Sequence, residues 1–208
     1  MLRPIPLVLF AISIGLSSGC HPKAKSPPKE AEPFALAFIG AARAGAIGPE
    51  WVDDALVERV RRVQRLELVG RARAPAEVMA KVWATKPDPH VAPAERGRLQ
   101  RERAAQALSG SLHGECTAKR DPAGAIGRIG ALTAKLDKAP EGAQAELARL
   151  GTDLTGAELV RVRCEKGAVG LLMVPRASSF QVVDLFAVNE NRAPFKLPPA
   201  GTEPPKQP

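Results

Sequence analysis

The chain has 208 residues, room for one domain of ordinary size or two small ones plus tails. Its hydrophobic fraction of 45% and charged fraction of 25% are those of a globular chain, which excludes a collagen-like or wholly disordered protein. A polytopic membrane protein is excluded as well, because a single apolar run approaches spanning length. Thirty basic residues against 22 acidic ones leave a net charge of +8, and many of the 20 prolines crowd toward the two ends.

Residues 1–20 read MLRPIPLVLFAISIGLSSGC. One cation, Arg3, precedes an apolar run from Leu7 to Leu16, and small residues follow up to Cys20. A basic start, a short apolar stretch and a small-residue cleavage site make a secretory leader, assigned here to residues 1–19. The run is about ten residues where a spanning helix needs ~20, so it is read as a removable leader and not as an anchor.

Ser17-Ser18-Gly19-Cys20 resembles the bacterial lipobox. It departs from that pattern at one place: the family prefers Leu three residues before the Cys, where this chain has Ser17, with Leu16 one position earlier. The resemblance implies that the Cys20 thiol is diacylglycerylated, that the leader is cut before it, and that the new amino group is often acylated. The physical rationale is that one acyl chain holds a protein reversibly while two or three hold it stably. His21 stands where Asp would oppose outer-membrane sorting in the enterobacterial rule, which favours the periplasmic face of the outer membrane. The plainer alternative is ordinary secretion with Cys20 as an incidental thiol.

Residues 20–33, including HPKAKSPPKEAEP, have almost nothing to bury and read as an extended tether. The stretch 194–208, PFKLPPAGTEPPKQP, has the same character and reads as a disordered tail. Between them, residues 34–193 form the expected single domain.

Its first part is helical. Phe34, Leu36, Ala37, Phe38, Ala41 and Ala42 recur at near-helical spacing until Gly45–Gly48 interrupts them. Pro49 to Asp54 opens a second helix carrying Trp51, Leu56, Val57, Val60 and Val63 inward, and Leu66–Val69 reads as a short strand. Pro75 restarts a helix that Pro87 and Pro89 end, and Ala92–Leu108 is another, with Gly110 and Gly114 marking a loop. Two further helices are predicted over Pro122–Leu136 and Gly142–Leu150. Then the period changes: Leu159–Cys164, Val169–Val174 and Gln181–Val188 read as a three-stranded antiparallel meander. Helices first and meander last predict an α+β fold.

The final run, Phe180-Gln181-Val182-Val183-Asp184-Leu185, looks like the aromatic-x-Val-x-Asp closing strand of NTF2-like domains, with Phe in the usual Trp position. That resemblance implies long N-terminal helices against a curved sheet enclosing a cone-shaped pocket, a module that extracytoplasmic lipoproteins often carry. The extra helices between Ala92 and Leu150 depart from the pattern.

Cys116 and Cys164 are the pair left once Cys20 is assigned to the lipid, and in an oxidising compartment they favour a disulfide. Cys164 shares strand parity with Val160 and Val162 and should point inward. His113-Gly114-Glu115-Cys116 offers one group of metal-ligand type where zinc sites use two, so no metal is assigned. Gly124, Gly127 and Gly130 are spaced G-x-x-G-x-x-G, not as a dinucleotide fingerprint, and read as a smooth packing face. The sequence around Ser111 is not a G-x-S-x-G elbow, and Asp53-Asp54 has a structural reason at a helix start.

Asp184 is the candidate ligand contact. With a regular pleat it shares a face with Val182 and Phe186 and needs a basic partner. Two arginine groups are candidate anion binders: one with Arg59, Arg61, Arg62, Arg65, Arg71 and Arg73, the other with Arg96, Arg98, Arg101 and Arg103. Arg59, Arg62, Arg65, Arg98 and Arg101 are the residues assigned to that role; the plainer reading is two solvated helix faces. Nucleic acid is disfavoured by 4% aromatics and the lack of Tyr.

These features together read as a lipid-anchored envelope module that binds or assembles, without catalysis or cofactor, attached to the membrane by its N-terminal lipid and meeting an envelope protein partner. An NTF2-like small-molecule site at Asp184 and a basic accessory gripping anionic envelope polymer are the alternatives.

Overall fold

The computed structural model describes residues 27–134, 136 and 139–188. Among these residues the order is α1 (Ala31–Arg43), α2 (Asp54–Arg71), α3 (Ala76–Ala84), α4 (Pro93–Ser111), β1 (His113–Arg120), α5 (Pro122–Thr133), α6 (Glu141–Asp153), β2 (Glu158–Lys166), β3 (Ala168–Arg176) and β4 (Ser179–Ala187). The fold is α+β. Its sheet is antiparallel with spatial order β1-β2-β3-β4, so the predicted meander β2-β3-β4 gains a fourth strand at its edge.

Local chemistry explains most of the boundaries. Asp53 caps α2, its carboxylate accepting from Leu56 N–H at 3.0 Å, and Asp121 caps α5 in the same way through Gly124 N–H at 2.9 Å. Pro93 and Pro122 stand in the first turns of α4 and α5, where no intrahelical N–H is lost. Gly167 closes the β2–β3 hairpin at φ +87°, and a Cβ there would overlap the Ser111 carbonyl. Glycine is therefore required twice over, for the turn and for the seat of the hairpin against the end of α4.

Both faces of the sheet are covered. One face packs Val160, Val162, Leu171 and Met173 against Phe34, Phe38 and Ile39 of α1 and Leu108 of α4. Phe34 lies 5.3 Å from Trp51 and 5.8 Å from Phe180 between ring centres, which fixes the start of α1 over the start of β4. The opposite face packs Leu159, Leu172 and Val174 against α2, α5 and α6. A small satellite of Leu66, Met79 and Ala143 joins α2, α3 and α6.

Four expectations are corrected. Leu66–Val69 lies inside α2, not in a strand, because Leu66 continues the buried stripe of Val60 and Val63. Gly110 belongs to α4 and Gly114 to β1, so the predicted loop is absent from that position. The helical glycines do not form one packing face: Gly124 sits against Asp121 and Leu159, while Gly127 and Gly130 meet no atom within 4 Å. Residues 28 and 31, expected within the tether, also contact the domain. Ala31 is fully buried in α1, and Ser179 Oγ donates to the Pro28 carbonyl at 2.6 Å.

Candidate functional site

Three of the sequence candidates take definite places, and Cys20, like the leader and the tail, lies outside the described residues. The first place is the disulfide. Cys116 and Cys164 are directly opposed on β1 and β2, bridged, with Cα atoms 3.9 Å apart. Cys164 is buried beside Val160 and Val162, as strand parity requires. Arg43, in the last turn of α1, covers the bridge. Its guanidinium donates to the Gly114 and Leu112 carbonyls at 3.0 and 3.2 Å and reaches the Cys116 sulfur at 3.1 Å. The start of β1 is thus tied to β2 by a covalent bond and to α1 by one cation. Both sulfurs being committed to the bridge, Cys116 offers His113 no thiolate for shared metal binding.

The second is Asp184, 7% exposed and the single charged residue in the described core. Leu172 faces Asp184 across β3–β4, yet Met173 faces Val182, so Val183 is an extra residue in β4. This bulge corrects the expected parity. Asp184 shares a face with Phe186 and Leu172, toward α2 and α5, while Val182 points the other way into the α1 layer. The expected basic partner is Arg128 of α5, whose Nε and one terminal nitrogen both lie 2.6 Å from Asp184 Oδ2. Gln64 of α2 and the Leu185 N–H donate to Oδ1 at 2.9 and 3.0 Å. Arg128 also lies over the Phe186 ring, 4.7 Å from its centre. With both carboxylate oxygens engaged by protein donors, the geometry is that of a structural ion pair.

The third is the arginine set, and its members divide. Arg59 is bound to Glu146 and to Asp153, the latter at 2.6 Å. Burial works against its charge, but the hydrogen bonds and charges of those two carboxylates prevail and hold its pKa above the ordinary value. Arg62 donates to the Trp83 carbonyl at 2.6 Å and lies 3.7 Å over the Trp83 ring. Arg98 is held between Glu95 and Glu102, and Arg101 pairs with Asp54. Gly97 lets that last pair form, since a Cβ there would overlap the Asp54 carboxylate. Of the five assigned anion binders, Arg65 is exposed and makes no ion pair with a described residue.

The two arginine groups meet elsewhere. Between α2, α4 and the outer edge of β4 lies a cleft of about 220 Å³. Val57, Arg61 and Gln64 line it from α2, and Gln100, Arg103, Ala104 and Ala107 from α4. The α2 set is one helical stripe, at steps of four and three, and Arg101 of α4 also lines the cleft. Val182 to Leu185 form the strand wall, and Phe38 and Val52 lie behind. Val52 pairs with Val182 and so covers one part of the β4 edge, leaving the rest to the cleft. Arg61 and Arg103 belong to the two arginine groups but are not among the five residues assigned to anion binding. For Arg103 the signal is the absence of an acidic residue one helical turn away, in contrast to Arg98 with Glu95 and Glu102; Arg61 has Glu58 three residues before it, and only the fold shows that Glu58 pairs with Arg96 instead.

Comparison with protein-family models, with curated proteins and with solved structures finds no match for this chain. Among the described residues no helix is long and apolar enough to cross a membrane.

Proposed function

We propose that this protein is a lipid-anchored module of the bacterial cell envelope, exported by its leader, acylated on Cys20, and carrying one α+β domain that binds a ligand or partner without catalysing a reaction. The observation that carries this reading is the coincidence of three features in order along the chain: an apolar leader ending in Ser17-Ser18-Gly19-Cys20, a Pro/Lys stretch, and a domain whose remaining two cysteines are bridged. A disulfide between neighbouring strands suits an oxidising compartment, and export is what a leader provides. The tether lets a domain stand off the leaflet that holds its lipid. The likeness of β4 to the closing strand of NTF2-like domains points the same way, toward a binding module on an extracytoplasmic anchor. The periplasmic face of the outer membrane is the place favoured by His21.

The test is metabolic labelling with an alkyne fatty acid in cells expressing the chain and its Cys20→Ala variant, followed by membrane fractionation. Labelled wild type in the membrane fraction and unlabelled variant outside it support the reading. Equal labelling of both, or wild type without label, overturns it.

A further inference from the structure

The cleft between α2, α4 and β4 has the make-up of a small-ligand site: an apolar floor and a few convergent polar groups. Val52, Val57, Val182 and Leu185 supply the floor. Arg61 and Arg103 are exposed at its sides and make no hydrogen bond or ion pair with any described residue. The other charges around the cleft are already matched, Arg101 by Asp54 and Asp184 by Arg128. Two guanidinium groups therefore face the opening as uncompensated cations.

We propose that this cleft binds a small amphipathic anion, a carboxylate or phosphate head on a compact apolar body. The head lies between Arg61 and Arg103, whose planar forks suit either oxyanion. The apolar body lies on Val57, Val182 and Leu185. Size follows from volume: a cavity of ~150 Å³ takes a benzene ring, so the cleft of about 220 Å³ encloses roughly nine non-hydrogen atoms, a ring and its short linker, while the charged head projects at the rim. The site belongs to the folded domain and does not depend on the anchor, so its failure would leave the lipidation reading standing.

Isosteric probes separate head charge from body. The full chain in detergent micelles is titrated by calorimetry and ligand-observed NMR with 3-phenylpropanoate, 3-phenylpropanol and 3-phenylpropylamine; phenyl phosphate distinguishes a phosphate from a carboxylate source. The proposal predicts that at least one of the two anions binds with Kd of about 0.1–1 mM, the range for ligands of this size, and at least tenfold more tightly than alcohol or amine. In the double variant Arg61→Gln/Arg103→Gln, whose positions are exposed, that affinity falls at least tenfold. Ala107→Phe, which narrows the cleft from an exposed lining position, also lowers it. Failure of both anions, equal binding of the alcohol or amine, or undiminished affinity in the arginine variant overturns the proposal.

Discussion

At Asp184 the cost of a buried carboxylate is offset by one arginine, one glutamine and one backbone N–H. Removing a partner should therefore cost more than removing the pair. Arg128→Met leaves Asp184 7% exposed and without its cation, and should lower unfolding free energy by about 2–3 kcal/mol, below the full value for a buried pair because Arg128 itself is partly in water. The double variant Arg128→Met/Asp184→Leu should recover much of that loss in urea titrations. A larger loss in the double variant would show that the carboxylate has a role beyond the pair. On the surface, Glu95 accepts from Arg98, and that hydrogen bond holds its pKa below the ordinary 4.5. A depressed carboxylate favours the folded state above its unfolded pKa, and the effect is lost as pH falls through the folded value. An NMR titration should place the Glu95 midpoint under 4.5, and Arg98→Gln should return it upward.

At the scale of elements, the disulfide ties the edge strand β1, which otherwise has few apolar groups to hold it. Its residues His113 to Arg120 are mostly exposed, with Cys116 and Ala118 alone half-buried. The bridge spans 48 positions, which in the chain-entropy treatment is worth about 4 kcal/mol. Cys116→Ala/Cys164→Ala should lose stability of that order, and the first amides to exchange should be those of β1, read by hydrogen exchange. The same polarity explains why β1 escapes a reading of the sequence. HGECTAKR has no β-branched run, and its inward positions are a cysteine and an alanine. The strands β2 to β4 are legible because Val and Leu fill them, and the helices because prolines and capping aspartates punctuate them. Leu66–Val69 misleads by its alternation, since a long helical stripe outweighs a four-residue pattern. The bulge at Val183 has no signal in Val182-Val183-Asp184, and it alone sends Asp184 to the α5 side. The cleft was legible only in part. Both arginine groups stand out in composition, but which cations remain unpaired depends on Glu146, Asp153 and Asp54, acids far away in the chain.

For the whole molecule, helices cover both faces of the sheet, and the large hydrophobic residues exposed among those described, Leu36, Leu68, Val78 and Ile126, stand on four different helices. In the proposed reading, residence at a membrane comes from Cys20, through two or three acyl chains. Everything proposed about location rests on that modification. Intact-mass analysis of the protein extracted from native membranes tests it most directly. The account predicts a polypeptide beginning at Cys20 and heavier than its sequence by a diacylglyceryl group, with or without a further acyl chain. A mass matching the chain from Met1 without lipid, or an unmodified form recovered outside the membranes, would contradict it.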